Sequence, residues 1–277
     1  MADGIKITVI LPSRKRTRGL YAALSTLTDL QSGKHGIQYG VCCDDDDLET
    51  QEFCRSVKDK FALAMRIAPR QKTMGGAIND MASRMPADVY LVINDDIFCC
   101  SYGWDDVIAK AIEEKPYGIF WWKNIYPMDA LYPIVTEKWR AAAGGIFTDH
   151  YPFWFDDLCL AELWTMATQE VQPRLDIYIC DKPVSTQRMR DLKFWQQFYT
   201  KTRVERVRKS IEIAEKLGLP KPVIGEEVAK RLTYLLTAMS DEYLAQIEKN
   251  QGETTPPDPA YVVAKLKAEK YLEDMAA

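Results

Sequence analysis

Val89-Tyr90-Leu91-Val92-Ile93-Asn94-Asp95-Asp96-Ile97 decides how the rest of this chain is read. The residues before Asn94 are apolar and rich in β-branched and aromatic types, so the run predicts a strand buried on both faces. It then emerges abruptly into paired carboxylates. Two adjacent Asp at the mouth of a sheet repel and raise each other's pKa unless a cation or several donors sit between them. From these residues alone three readings stand open: a divalent metal held against a diphosphate, a helix N-cap at Asp95 or Asp96, or a polar turn.

Upstream, Ile5 to Leu11 predicts a short strand ended by Pro12. Ser13-Arg14-Lys15-Arg16-Thr17 then leads into Leu20, Leu24, Leu27 and Leu30, spaced as one helix face. Ile37 to Cys43 predicts a second strand, followed by Asp44-Asp45-Asp46-Asp47 and a helix over 48–60 with Phe53 and Val57 inward. Phe61 to Ile67 reads as the third strand. Arg70-Gln71-Lys72 and Gly75-Gly76 then precede a helix through Ala77, Met81, Ala82 and Met85, stopped by Pro86. This alternation predicts an α/β fold, a mostly parallel sheet whose functional loops lie at the carboxyl ends of its strands. Arg14, Asp44, Lys72 and Asp96 fall near that one edge.

Downstream, a helix is expected after Ser101, and strands over 117–122 and 132–136 flank an aromatic loop containing Tyr126 and Pro127. Gly144-Gly145 offers close backbone approach before His150 and Trp154-Phe155-Asp156-Asp157. A helix through Leu160, Leu163 and Trp164 and a last strand over 175–180 end the doubly wound region near Lys182. From Asp191 onward Phe194, Phe198, Val204, Val207, Ile211 and Leu217 mark a broad apolar helical face, stopped by Gly218 and Pro220. A second helix is expected at about 225–249, a polar Pro-rich linker over 250–258 and a last helix at about 261–275. The expected division is 1–185 for the α/β domain and 186–277 for a helical appendage. Apolar faces on that appendage must pack on the core or on a second subunit, which allows a homo-oligomer.

The 277 residues, 47% apolar and 27% charged, are those of a globular protein with a substantial core. A net charge of -4 argues against a general polyanion binder. No signal peptide or membrane span is read, which implies a cytoplasmic protein. Seven Cys, mostly in apolar company, read as reduced core residues, and two His are too few for a His-based metal centre.

Ile7-Thr8-Val9-Ile10-Leu11-Pro12-Ser13, Asp44 at the end of the second strand, Gly75-Gly76-Ala77-Ile78-Asn79, Leu91-Val92-Ile93-Asn94-Asp95-Asp96 and Asp156-Asp157-Leu158-Cys159-Leu160 occur in an informative order. Together they resemble the successive motifs of nucleotide-sugar-dependent glycosyltransferases with a Rossmann-like GT-A fold, in the large inverting family that includes many polysaccharide-building enzymes (glycosyltransferase family 2-like). The resemblance covers residues 5–181 and not 190–277. It implies that Asp44 contacts the base or ribose of a uridine-type donor, beside Pro12, Ser13 and Arg14. Arg70 and Lys72 would neutralise its diphosphate, with Gly75 and Asn79 in the donor segment. Asp96 matches the principal ligand of Mn²⁺ or Mg²⁺, although Asn94 replaces the first acid of that motif, and Asp95 would add a water-mediated or donor-sugar contact. Asp157 matches the catalytic base and Asp156 the acid that tunes it. His150 would complete the metal shell or meet the acceptor.

Trp121, Trp122, Tyr126, Tyr132, Trp139, Tyr151, Phe153 and Trp154 bracket the acceptor side in sequence, as stacking faces or as core. The acceptor hydroxyl is expected on a saccharide, another small molecule or a hydroxymethylated DNA base. A nucleotidyltransferase is the competing enzyme class, though its early Gly-rich signature is absent. A catalytically inactive sugar-binding or assembly module of the same fold is the non-enzymatic alternative.

Overall fold

A computed structural model of the chain describes residues 4–70, 73–124, 132–152, 155–181, 191–223 and 259–276. The chain forms two compact units, one of residues 1–71, 76–146 and 172–183, the other of 72–75, 147–171 and 184–277.

Among the described residues, the first unit holds an eight-stranded sheet: β1 Lys6–Pro12, β2 Gly36–Asp44, β3 Leu63–Ala68, β4 Val89–Val92, β5 Ile97–Cys99, β6 Ile119–Asn124, β7 Pro133–Thr136 and β8 Arg174–Asp181. Their order is β3-β2-β1-β4-β7-β6-β8-β5. β1 pairs in parallel with β2 and β4, β2 with β3, and β6 with β8. The pairs β4 with β7, β6 with β7, and β5 with β8 are antiparallel. The mostly parallel α/β sheet read from the sequence is therefore present, with β7 and β5 as its reversed members.

Side chains alternate across β1 as a pleated strand requires. Ile7, Val9 and Leu11 join one core with Leu20, Leu24 and Leu27 of helix α1 (Thr17–Asp29), Cys54 of α2 (Leu48–Val57), and Trp104 and Ile108 of α4 (Trp104–Glu114). On the other face Thr8 Oγ1 donates to the Met85 carbonyl at 3.2 Å. There α3 (Met74–Arg84) lays Met81 against Gly40 of β2. A short α5 (Glu137–Ala143), not anticipated from the sequence, starts at Thr136, whose hydroxyl caps Trp139 N–H.

The second unit is helical among its described residues: α6 Asp156–Thr168, α7 Leu192–Lys201, α8 Arg203–Lys216 and α9 Pro259–Ala276. Nearly every side of α6 is buried. Its Glu162, 1% exposed, is gripped by Arg206, and Arg203 Nε lies 3.0 Å from Glu162 Oε1. Tyr151, Phe155 and Cys159 share a core with Leu192, Trp195, Phe198, Ala264 and Ala268. The single apolar face expected from Phe194 to Leu217 is interrupted at Thr202, whose hydroxyl donates to the Phe198 carbonyl at 2.8 Å. The chain re-phases there, so Val204, expected inside, is 62% exposed while Arg206 is buried. The helix and linker expected over 225–258 lie outside the described residues.

Candidate active site

The loop between β1 and α1 carries two arginines, and each closes on an acidic cluster at the carboxyl ends of the strands. Arg14 Nη1 donates to Asp44 Oδ2 at 2.9 Å, and its Nη2 donates to Asp46 Oδ2 at 2.8 Å. Arg16 Nη1 donates to Asp95 Oδ1 at 2.7 Å and to Asp96 Oδ2 at 3.3 Å. Lys15 between them has φ 54°, a left-handed backbone uncommon for a side-chain-bearing residue. Its N–H is tied to Asp47 Oδ2 at 2.8 Å and Thr50 Oγ1 at 3.0 Å. That turn sends the two arginines to different clusters, which a regular strand or helix would not do.

Electrostatics separate the neighbouring acids. The Arg14 hydrogen bond holds the Asp46 carboxyl down at about 2. Burial pushes Asp44 up against the pull of Arg14 and of the Arg70 charge. Asp47 accepts from Thr50 N–H at 3.3 Å and caps α2, so the four-Asp run divides its work between a cap and a pair held by Arg14.

Asp95 is 3% exposed, and Ser13 Oγ donates to its Oδ2 at 2.7 Å. A Cβ on Gly19 would stand 2.4 Å from the Asp95 carbonyl oxygen, so only glycine lets α1 approach this turn so closely. The Asp95-Asp96 pair lies in the turn from β4 into β5 and caps no helix. With both Asp95 oxygens engaged, Asp96 is the member suited to a hard cation. One carboxylate shared with a guanidinium suits a divalent ion that takes its remaining ligands from phosphate oxygens and water.

Among the described residues, the one trio of potential ligand atoms within 4.8 Å of each other is His35, Asp105 and Asp106. It lies at the opposite, amino-terminal edge of the sheet, just before β2 and in the first turn of α4. There His35 Nδ1 accepts from Ile5 N–H at 3.3 Å and Nε2 meets Asp106 at 3.1 Å, while Lys34 Nζ holds Asp106 at 2.6 Å. Both ring nitrogens are committed, so this is an ion-paired edge and not a metal cage.

In the second unit, Asp156 and Asp157 open α6 behind Phe155, which adopts φ 80°. Asp156 is 2% exposed; Thr148 Oγ1 donates to its Oδ1 at 2.7 Å, and its Oδ2 has no hydrogen-bond partner among the described residues. Burial drives this carboxyl well above the ordinary range. Asp157 accepts from Leu158 N–H at 2.7 Å, and burial, opposed by backbone donors, pushes it up to about 6. Of the pair, Asp157 is the carboxylate poised to accept a proton, and Asp156 is the more deeply buried neighbour. A Cβ on Gly75 would meet the Thr148 carbonyl at 2.2 Å and Asp156 Oδ2 at 3.2 Å. Glycine is thus required there for the backbone to pack on the acid.

Other residues expected at the site have different surroundings. Asn79 Oδ1 accepts from Ile146 N–H at 2.7 Å, clamping the loop after α5. Pro12 ends β1 in register with Cys42. Lys72, Tyr126, Phe153 and Trp154 lie outside the described residues. Trp121, Trp122, Trp139 and Tyr151 are core, each 3% exposed or less. Tyr132 takes a hydrogen bond from Asn94 Nδ2 at 3.3 Å. Arg16 is the residue sequence reading passed over. Its signal was present, a third cation in Arg14-Lys15-Arg16 one loop away from an acidic pair.

The fold is the GT-A-like α/β fold found in nucleotide-sugar glycosyltransferases. Among solved structures, S. aureus TarS 1-349 in complex with UDP-GlcNAc matches with a TM-score of 0.57 at 13% identity, over 77% of this chain and 72% of that one. The mannosyltransferase PcManGT from Pyrobaculum calidifontis, in complex with GDP-Man and Mn2+, matches with a TM-score of 0.51 at 12% identity, over 96% and 88%. Against the longer structure of S. aureus TarS the matched region spans 43% of that chain. At these identities the likeness is one of fold. No protein-family model matches the sequence, and no curated protein sequence matches it. No helix among the described residues is long and apolar enough to cross a membrane.

Proposed function

We propose that this chain is a metal-assisted glycosyltransferase that moves a sugar from a nucleoside-diphosphate sugar, of the uridine type, to an acceptor hydroxyl with inversion. The observation that carries the reading is the pair of arginine-bridged acidic clusters, Asp44 with Arg14 and Asp95-Asp96 with Arg16, at the carboxyl ends of strands in a GT-A-like sheet. Open α/β sheets bind their ligands at that edge. Asp44 takes the nucleoside, Ser13 and Arg14 flank it, and Arg70 serves the diphosphate, the role the sequence also gives Lys72 outside the described residues. Asp96 would hold Mn²⁺ or Mg²⁺, and such an ion would supply neutralising charge for the leaving diphosphate. Residues 1–185 serve as the transferase domain and 186–277 as its appendage.

In the transfer the acceptor oxygen bonds to the anomeric carbon as the bond to the diphosphate oxygen breaks, and the acceptor proton passes to Asp157. Asp156, buried beside it and tied to Thr148, serves to position that carboxylate. The test is calorimetric titration of UDP and GDP with and without Mn²⁺. Asp96→Ala is expected to remove at least about tenfold of Mn²⁺-dependent affinity, roughly 1.4 kcal/mol, while folding is retained. Unchanged metal-dependent affinity would take Asp96 out of the cation's ligands.

A further inference from the structure

The second unit contains a cavity of about 220 Å³ lined by Thr73, Asp149, His150, Lys267 and Tyr271, floored by Ala264 and Ala268 of α9. The two alanines are one helical turn apart and 3% and 4% exposed, so their small side chains make the space. The volume is below the roughly 300–1,000 Å³ of pockets for drug-sized ligands, which suits one ring and not an extended chain.

Several of its polar atoms make no hydrogen bond among the described residues. Thr73 Oγ1 donates to Asp149 Oδ1, leaving Oδ2 uncommitted. Among the described residues, no hydrogen bond is made by either His150 ring nitrogen, Lys267 Nζ or the Tyr271 hydroxyl. The His150 ring packs 5.3 Å from Tyr271 and 5.9 Å from Phe198, and this desolvation lowers its pKa and keeps the ring neutral. One imidazole donor, one imidazole acceptor, a carboxylate oxygen, an ammonium and a phenol thus converge on one small space. The formal charges of Asp149 and Lys267 cancel, which disfavours a phosphate or carboxylate guest. Hydroxyls, which donate and accept at once, match the set. The flanking Tyr271 and His150 rings suit the apolar C–H face of a sugar ring. The walls are also continuous with the acid pair: Thr148, next to Asp149, is the residue bonded to Asp156.

We propose that this cavity is the acceptor subsite and takes a single neutral hexopyranose-sized ring, with its hydroxyls on Asp149, His150, Lys267 and Tyr271. The assignment rests on the transferase reading and deepens it. It also places His150 with the acceptor, one of the two roles its sequence context allowed.

The experiment is saturation-transfer NMR on the full chain with a panel of methyl hexopyranosides up to about 50 mM, well above a millimolar dissociation constant. 5-Hydroxymethyl-2'-deoxycytidine is a parallel probe, and UDP affinity is recorded on the same samples. Wild type is expected to bind at least one glycoside. Lys267→Ala with Tyr271→Phe, which trims polar tips without opening the core, should weaken it at least about tenfold, and Ala268→Trp should abolish it. No glycoside bound, glycoside binding indifferent to the Lys267 and Tyr271 changes, or binding of the nucleoside alone would overturn the subsite. Loss of the transferase reading shows separately, as failure to bind UDP or GDP.

Discussion

Asp157 holds its proton up to about pH 6 because it sits in a poorly solvated first turn, against the pull of backbone donors. A base must be empty to act, so transfer is expected to rise with pH through about 6 and level off above it. Asp157→Asn should lose that limb and slow single-turnover transfer by about 10²- to 10⁴-fold, with donor affinity preserved. The same shift acts on stability. Between an ordinary Asp near 4 and about 6 the folded state keeps a proton the unfolded chain has released, so stability falls as pH rises through that window. Denaturant melts of Asp157→Asn should show a shallower decline, with the raised Asp156 still contributing its own part.

Arg16 gives a second outcome at this scale. Asp95 is buried and leans on that guanidinium, so Arg16→Gln is expected to destabilise the fold by roughly 3 kcal/mol. The vacated acidic pair then becomes a better cation site. Mn²⁺ without nucleotide should raise the melting temperature of Arg16→Gln and leave wild type nearly unmoved, which thermal melts on both proteins would read. At this scale the acids themselves were legible in the sequence, because carboxylates abruptly ending buried strands need a reason. Their division of labour was not. Which members of the four-Asp run meet Arg14, and whether Asn79 faces a ligand or clamps Ile146, depends on hydrogen bonds between segments far apart in the chain.

Helix α1 is positioned by a missing side chain. Gly19→Ala would drive a methyl group against the Asp95 carbonyl oxygen, and backbone there has little freedom to yield. A loss of about 1–3 kcal/mol is expected, with weaker nucleotide binding as the acidic turn is displaced. Denaturation and calorimetry on the one variant check both. Among elements, β1, β2 and β4 were readable because apolar runs between turn signals admit few alternatives. The three-residue β5, directly after Asp96, was hidden by its brevity. The reversal of β7 was hidden too, since strand direction is set by which neighbour is met and not by local pattern. The break between α7 and α8 escaped periodicity for a related reason: a threonine hydroxyl bonding back to a carbonyl leaves little trace in hydrophobic spacing.

At the scale of the molecule, a single cut near residue 185 would leave α6 without its partners. Glu162 would lose Arg206 and Arg203, and Tyr151, Phe155 and Cys159 would lose the aromatic cover from α7. A buried carboxylate stripped of its counter-charge is costly, and the uncovered rings invite association. Residues 1–185 expressed alone are therefore expected to aggregate, as size-exclusion chromatography would show. A soluble, active fragment would make the tail dispensable. The appendage was legible from the sequence as helical and apolar on one side, yet its partner was not, because α6 is buried on nearly every side and its apolar residues form no single stripe.

That all-round burial of α6 has a bearing on how the chemistry is timed. A carboxylate mounted on a helix wedged on every side and latched by two arginines has little latitude to swing toward an incoming hydroxyl. Its entropy of positioning is lost once, when the chain folds, and not again at each turnover. Discrimination between acceptors then belongs to the guest, which must present its oxygen to a fixed point. A hydroxyl displaced by about an ångström loses rate, because the base does not follow it.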